Sequence, residues 1–376
     1  MPSPPAELLV ARPGDLAGLR ARQGLGRVVI DTARLQYRNL LPHALKYGIW
    51  ALAPGGTLLV RDRSPNTFDL GPRFVSAKLV RQWVFKLLAQ DAELVRLDIP
   101  GGEIELVRTR PPTPMGWSAG VVFSGQEAEL PRLRACLDAL LRQPELAMGG
   151  EIMVSGPAGA EDCLTGYPGV RYRTFDMPPG PRVMIGRKKN DLIRALRGPR
   201  IAILHTRILL APDCLAQVPV EFEIASPRVF VAGRHGPEDY LSLGVHDSGL
   251  PGRVPLLAPS SLRRMPVARY LALFDQGPPY VDGGVFFVRK DVHARCPLHE
   301  HVAWDEAEDI EWSARALAEG ILLDLAPAAT ATSAVSKLRT PGLPRALLGP
   351  ARLVRAALQA AMHRGRDCVL RLTGRR

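Results

Sequence analysis

The sequence predicts an α/β protein whose larger domain has a mostly parallel sheet and is preceded by a smaller α/β segment. Strand-like apolar runs alternate with helix-like segments over residues 1–110 and again over residues 116–332. Such alternation is typical of open, largely parallel sheets. The 376 residues, 46% apolar and 23% charged, suffice for two or three soluble domains of ordinary composition.

The first segment, residues 1–110, reads as half of an α/β sheet. An apolar run at 27–33 predicts a strand, and a helix, a Pro-Gly-Gly turn and a second strand follow it. An amphipathic helix and a closing strand then lead to the proline-rich break at 111–114, where regular structure is expected to stop.

The second domain begins with a strand at 119–124. The helix after it carries an apolar face of Leu133, Cys136, Leu137, Leu140 and Leu141. Two further strands, a helix containing Lys188-Lys189-Asn190 and a buried strand follow. In open parallel sheets the ligand lies outside the carboxyl ends of the strands, which are expected at Ser124, Ser155 and His205.

Composition excludes several classes of protein. No apolar run of about 18 residues could span a bilayer, and the amino-terminal residues lack the pattern of a secretory signal, so a cytoplasmic location is expected. The five cysteines are widely spaced without a C-x-x-C pair, which is typical of reduced structural thiols.

Most of the net charge of +12 lies in the tail. Residues 335–376 carry ten Lys or Arg and one acid, so the body is nearly balanced and no nucleic-acid partner is expected. The tail, residues 333–376, is a basic amphipathic segment. It either lies on an anionic membrane, which would place the protein on the inner face, or packs on the body or forms a disordered end.

Five acids crowd the start of a predicted helix: Asp305, Glu306, Glu308, Asp309 and Glu311. Neighbouring carboxylates raise one another's proton affinity, which favours general-base chemistry near neutral pH. The alternative is that these acids only complement the helix dipole.

The segment around the L-A-P-G-G-T-L-L-V turn resembles the late strands of class I methyltransferases over about ninety residues. That resemblance implies a half-Rossmann-like segment. The family binds S-adenosylmethionine through a glycine-rich turn after its first strand, and residues ahead of Val28 offer only G-L-G without a preceding strand. Methyl transfer is therefore not expected.

Over residues 116–330 the order of elements resembles family 2 inverting glycosyltransferases with a GT-A fold. The resemblance rests on V-V-F-S-G-Q-E, the K-K-N helix start, D-G-G-V-F-F-V-R-K and W-D-E-A-E-D-I-E-W. It implies a nucleotide-sugar donor held by Ser124, Glu127, Ser155, Lys189, Asn190, His205, Arg207, Asp282, Gly283 and Gly284. It also implies Asp309 as catalytic base with Glu308 beside it, and a carbohydrate or lipid-linked acceptor on Trp304 or Trp312.

The family's metal-binding Asp-x-Asp is replaced by His205-Thr206-Arg207. Arginine can neutralise a diphosphate directly, whereas manganese or magnesium prefers carboxylate oxygens. Three alternatives follow: Arg207 replaces the metal's charge, metal-dependent catalysis is lost, or His205 and His246 bind one metal together.

The resulting hypothesis is a glycosyltransferase of hexosyltransferase type that inverts the sugar it transfers to an acceptor hydroxyl. The alternative is a non-catalytic binding or scaffold protein built from decayed α/β modules. An enzyme should gather Ser155, Arg207, Asp282 and Asp309 around one cleft, whereas a scaffold would leave them scattered.

Overall fold

Two large β-sheets organise the chain in the computed structural model, which describes residues 7–10, 15–32, 40–62, 77–178, 182–233, 236–240, 243–245 and 279–335. Both belong to one compact unit, Met1–Ala334. His246, Cys368 and nearly all of the basic tail lie outside the described residues. Among the residues described, no helix has the length and apolar character needed to cross a bilayer.

The first sheet has five strands in the order β1-β2-β3-β5-β4. The first three strands are parallel, and β5 pairs antiparallel with both β3 and β4. Their bounds are β1 Glu7–Val10, β2 Leu25–Asp31, β3 Leu52–Arg61, β4 Ala92–Asp98 and β5 Glu103–Arg108. The helices of this segment are α1 Asp15–Arg20, α2 Leu40–Ala51 and α3 Ala77–Leu88.

Strand β1 corrects one expectation from the sequence, because a strand does precede the G-L-G turn. In the described sheet β1 pairs with β2 alone. Because the strand has only four residues, its sequence is too short to show the alternation of apolar and polar residues that predicts a strand. The resemblance of this segment to methyltransferases stays a prediction.

The second sheet has nine strands. A parallel block in the order β8-β7-β6-β9 is followed by β15, which is antiparallel to both β9 and β11. The bounds are β6 Trp117–Val122, β7 Glu151–Gly156, β8 Val170–Thr174, β9 Arg200–His205, β10 Ile208–Leu210, β11 Ile224–Gly233, β12 Gly236–Tyr240, β15 Val285–Arg289 and β16 Leu323–Ser333. A separate pair is formed by β13 Leu243–Val245 and β14 Pro279–Val281.

The fold is therefore α/β, as predicted, with a sheet that is parallel on one side and mixed on the other. The helices of the second domain are α4 Leu130–Leu141, α5 Pro144–Ala147, α6 Ile185–Ala195, α7 Lys290–Arg295 and α8 Glu308–Ala318. Helix α4 buries its predicted apolar face except for Leu141, which is 48% exposed at the helix end. The four cysteines of the described ranges are buried free thiols, as expected: Cys136, Cys163, Cys214 and Cys296.

Helix α2 joins the two sheets. It is buried along nearly its whole length, so its few polar groups need partners inside the protein. The Lys46 ammonium bonds Asp91 Oδ2 at 3.1 Å and Glu223 Oε1 at 2.9 Å, and the Tyr47 hydroxyl donates to Asp324 Oδ2 at 2.9 Å. Glu223 and Asp324 belong to the larger sheet region, so buried polar contacts connect the two sheets.

Candidate active site

The strand ends that the sequence singles out lie in one row. Ser155 of β7 is in register with Val122 of β6, and Val122 is in register with His205 of β9. Because these strands are parallel, their carboxyl ends meet at the same edge of the sheet, where ligands of open α/β proteins bind.

The loop before β15 continues this row on the far side of β9. The His205 N–H donates to the Gly284 carbonyl at 2.9 Å, which brings the loop against the end of β9. Asp282 Oδ1 accepts from Gly284 N at 3.0 Å and so closes a tight turn. A Cβ added to Gly284 would lie 2.9 Å from Arg207 Cζ. Glycine is required here for the close approach of an arginine to the backbone.

Arg207 is held between two other predicted site residues. Its Nη1 lies 3.0 Å from His205 Nδ1, and its Nη2 lies 3.7 Å from Asp282 Oδ2. Since a guanidinium only donates, His205 Nδ1 accepts, and a neutral imidazole then carries its proton on Nε2. The arrangement fixes a planar cation at the ligand edge of the sheet, a geometry suited to phosphate oxygens.

Asp309 lies on the other side of the same loop, at the start of α8. Ala307, just before this helix, has a left-handed backbone with φ of 59°, which sets the direction in which α8 begins. Asp309 Oδ2 accepts from Gly283 N at 2.9 Å, and Oδ1 accepts from Ile310 N at 2.9 Å. Burial and the neighbouring Glu308 raise the pKa of the Asp309 carboxyl, while the Gly283 N–H opposes the rise. A carboxylate of this kind is a stronger base than a solvated one.

Glu308 and Lys189 form a buried ion pair beside Asp309. Lys189 Nζ donates to Glu308 Oε1 at 2.8 Å, and both side chains are almost fully excluded from solvent. The ammonium also lies 5.9 Å from the centre of the Phe286 ring. The Lys189 ammonium is therefore bonded to Glu308 and is not exposed for contact with a diphosphate.

The side chain of the adjacent Lys188 extends to the carboxyl end of β6. Its Nζ donates to the Phe123 carbonyl at 2.6 Å, and burial lowers its pKa to about 8. At the same strand ends, Ser155 Oγ is buried and makes no hydrogen bond within the described part of the chain. Ser124 is exposed on the loop after β6, and Glu127 is exposed at the start of the short 3-10 helix before α4.

Asn190 has a role inside the fold. Its Nδ2 donates to the Leu298 carbonyl at 2.8 Å and to Glu300 Oε1 at 3.2 Å. Its Oδ1 accepts from Leu298 N at 3.0 Å and contacts His293 Nε2 at 2.8 Å. The amide is thus occupied by the segment after α7, and it holds that segment on α6.

The two predicted acceptor tryptophans differ in environment. Trp312 is in the core, where its indole N–H donates to the Cys296 carbonyl at 2.8 Å and its ring packs on Phe286. Trp304 is 55% exposed, five residues before Asp309. Of the two, only Trp304 presents a ring face to solvent next to the acidic helix start.

Sequence reasoning missed Tyr280, on β14. Tyr280 lies two residues before Asp282, which begins the turn after this strand. Burial, Asp309 and Asp282 all raise the pKa of the Tyr280 hydroxyl. No sequence motif marks Tyr280, because its interaction with Asp309 arises from the fold.

The residues at the end of β9 do not fit a hard divalent cation. The Asp282 carboxylate already faces the Arg207 guanidinium, and the last residue of β9, His205, offers an imidazole. A hard divalent cation prefers carboxylate oxygens instead. Among the described side chains, no group of three His, Cys, Asp or Glu is arranged to hold a metal. His246, the other half of the predicted histidine pair, lies outside the described residues.

Comparisons with known proteins give structural likenesses alone. No protein-family profile and no curated protein sequence matches the chain. The crystal structure of S. aureus TarS 1–349, a GT-A-type glycosyltransferase, is similar with a TM-score of 0.39 and 11% sequence identity. The similarity covers 58% of this chain and 60% of that chain, so it spans a little over half of either protein.

Proposed function

We propose that this protein is a glycosyltransferase that moves a sugar from a nucleotide-sugar donor to an acceptor hydroxyl with inversion. The observation that carries the proposal is that Arg207, Asp282 and Asp309 are connected through one loop, Gly283–Gly284, at the ligand edge of the sheet. This set offers a base on one side of the loop and a fixed cation on the other.

The chemistry follows from the positions of these groups. Asp309 takes the proton of the acceptor hydroxyl as its oxygen attacks the anomeric carbon of the donor sugar. The bond from that carbon to the phosphate oxygen breaks, and the nucleoside diphosphate leaves with the bonding electrons. Arg207 stabilises the negative charge that develops on the leaving group. In glycosyltransferases with an Asp-x-Asp motif, a metal ion does this. No step depends on a metal ion.

Three further residues suit the binding of substrates. Ser155 Oγ can donate to and accept from a nucleoside at the end of β7. The exposed ring of Trp304 offers a stacking face for a carbohydrate acceptor. Tyr280, which interacts electrostatically with Asp309 and Asp282, can donate a hydrogen bond to the donor sugar.

The alternative function is a non-catalytic binding or scaffold protein. The absence of carboxylates at Ser155 and at His205-Thr206-Arg207, where the resemblance leads one to expect them, favours it. The gathering of Arg207, Asp282 and Asp309 favours the enzyme, because a scaffold has no need for a buried base beside a fixed cation.

The test uses the full chain and a panel of nucleotide sugars and nucleoside diphosphates, each with and without manganese or magnesium. Thermal shift identifies the nucleotide that binds, and release of nucleoside diphosphate from the matching donor reports turnover. Asp309→Asn should retain nucleotide binding and lose about 10²–10⁴-fold in turnover. The matched control is Asp213→Asn, at an exposed aspartate after β10. Nucleotide binding without turnover in the wild type would support a non-catalytic binding protein, and no binding of any nucleotide would contradict the glycosyltransferase and favour the scaffold.

A further inference from the structure

The side chains of Lys189, Glu308 and Asp309 surround the backbone of a single glycine. A Cβ added to Gly283 would lie 2.7 Å from Glu308 Oε1, 2.8 Å from Lys189 Nζ and 3.3 Å from Asp309 Cβ. The same glycine donates its N–H to Asp309 Oδ2 at 2.9 Å. The ion pair and the proposed base are therefore parts of one packed unit.

The ion pair is unusual for its burial. Lys189 has 0% and Glu308 has 4% of its side chain exposed. Burying two charges costs several kcal/mol of desolvation per ion, which their attraction offsets only with good geometry. Such a pair adds little stability compared with apolar side chains, so its charges call for another explanation.

We propose that Glu308 is a positioning residue for Asp309: the ion pair with Lys189 fixes the Glu308 carboxylate against Gly283, the glycine whose N–H binds Asp309, so that Asp309 takes up its proton beside a fixed negative charge. The hydrogen bond from Lys189 Nζ to Oε1 holds the Glu308 side chain directed inward.

The charged groups around Asp309 act in opposite directions. Glu308 on α8 and Asp282 in the loop favour its protonated form, whereas Lys189 on α6 and the Gly283 N–H favour the carboxylate. Tyr280 on β14 faces the same carboxylates. Burial raises the pKa of Asp309 most, and Glu308 is the largest contribution from a charge. Removing the Glu308 charge should therefore lower this pKa.

The proposal deepens the proposed function and rests on it for its catalytic meaning, but its test needs no substrate. In protein labelled with ¹³C at aspartate carboxyls, the resonance missing from Asp309→Asn identifies Asp309, and its shift is followed against pH. In Glu308→Gln, which keeps an acceptor for Lys189, the Asp309 midpoint should move to lower pH. Glu311→Gln removes a charge from the same helix outside the buried pair, and should leave the midpoint unchanged.

An unchanged or higher Asp309 midpoint in Glu308→Gln would overturn the proposal, even if that variant were less stable, because a purely structural role moves stability alone. Should that variant not fold, Glu308→Asp takes its place, because the shorter side chain withdraws the carboxylate from Gly283. An Asp309 midpoint equal to that of the wild type in Glu308→Asp contradicts the proposal. A shift in Glu308→Gln together with absent turnover in the wild type would leave this relationship standing and remove the proposed function.

Discussion

Lys46 Nζ donates to Glu223 Oε1 at 2.9 Å. This hydrogen bond joins helix α2, which packs on the first sheet, to the residue just before β11 of the second sheet. Both side chains are 1% exposed. The same ammonium bonds Asp91, so Lys46 links two buried carboxylates, while Arg110 also pairs with Asp91 and Arg295 also pairs with Glu223.

Lys46→Met should destabilise the protein by about 1.5–3 kcal/mol, because two charge-assisted hydrogen bonds to buried carboxylates are lost while Arg110 still pairs with Asp91 and Arg295 with Glu223. Urea unfolding measures the change in the free energy of unfolding. Lys78→Met, at an exposed lysine of α3, is the matched control and should change stability by less than about 0.5 kcal/mol. Equal effects of the two substitutions would contradict the role of the pair.

Arg207→Ala should weaken nucleoside diphosphate binding more than about tenfold, because a charge-assisted hydrogen bond contributes about 1.5–3 kcal/mol. Arg207→Lys should recover only part of the affinity, since an ammonium lacks the planar donor fork. Calorimetry with chelator present and then with manganese added should give the same affinity for the wild type. Arg197→Ala, at an exposed arginine shortly before β9, serves as control. A clear gain in affinity with manganese would argue against arginine in place of a metal.

Gly284→Ala should separate binding from stability. The new methyl group would overlap the Arg207 guanidinium, which is the far end of a flexible side chain and can swing away. We expect the melting temperature to change by only a few degrees while nucleotide affinity falls by about as much as in Arg207→Ala. Gly18→Ala in α1 meets no atom within 4 Å and should leave affinity intact. Normal nucleotide binding by the Gly284→Ala variant would show that Arg207 does not contact the donor.

His293 should make the protein acid-sensitive. Burial lowers the pKa of His293 to about 4, whereas a histidine in the unfolded chain has a pKa of about 6.5. The neutral imidazole is therefore favoured in the folded protein, and its stabilisation is fully present above about pH 6.5 and is lost as the pH falls through about 4. The loss amounts to about 3 kcal/mol.

The measurement is the free energy of unfolding at a series of pH values for wild type and His293→Gln. The glutamine can still donate to Asn190 Oδ1 but does not titrate, so the difference between the two proteins should shrink or reverse toward acid pH. His301→Gln, at an exposed histidine, should follow the wild type. Parallel curves for His293→Gln and wild type would disprove this assignment.

Local sequence patterns predicted much of the fold. Helix α4 follows from the spacing of Leu133, Cys136 and Leu137, and the parallel strands from the apolar runs that end at Ser155 and His205. Strand β1 was missed because its stability comes from pairing with β2, about twenty residues later in the chain.

The candidate site could be predicted less fully, because its contacts are distant in sequence. Lys189 looks like a solvent- or ligand-facing lysine on a charged helix, and only the fold brings Glu308 to it from 119 residues away. Asn190 is occupied in the same way by Leu298. A sequence pattern indicates which side chains are chemically suited to a site, but not which of them the packing uses for itself.

Glu221, Glu223 and Asp324 of the larger sheet region all find counter-charges or hydrogen-bond donors on the first 110 residues, at Arg108, Lys46 and Tyr47. A gene fragment that begins at residue 116 would encode a sheet with three acidic groups cut off from these partners. The two sheets should therefore be expressed in one polypeptide. If a fragment without the first sheet were inactive, the lost contacts between the sheets would explain it, and the result would not show that the full-length protein lacks the activity.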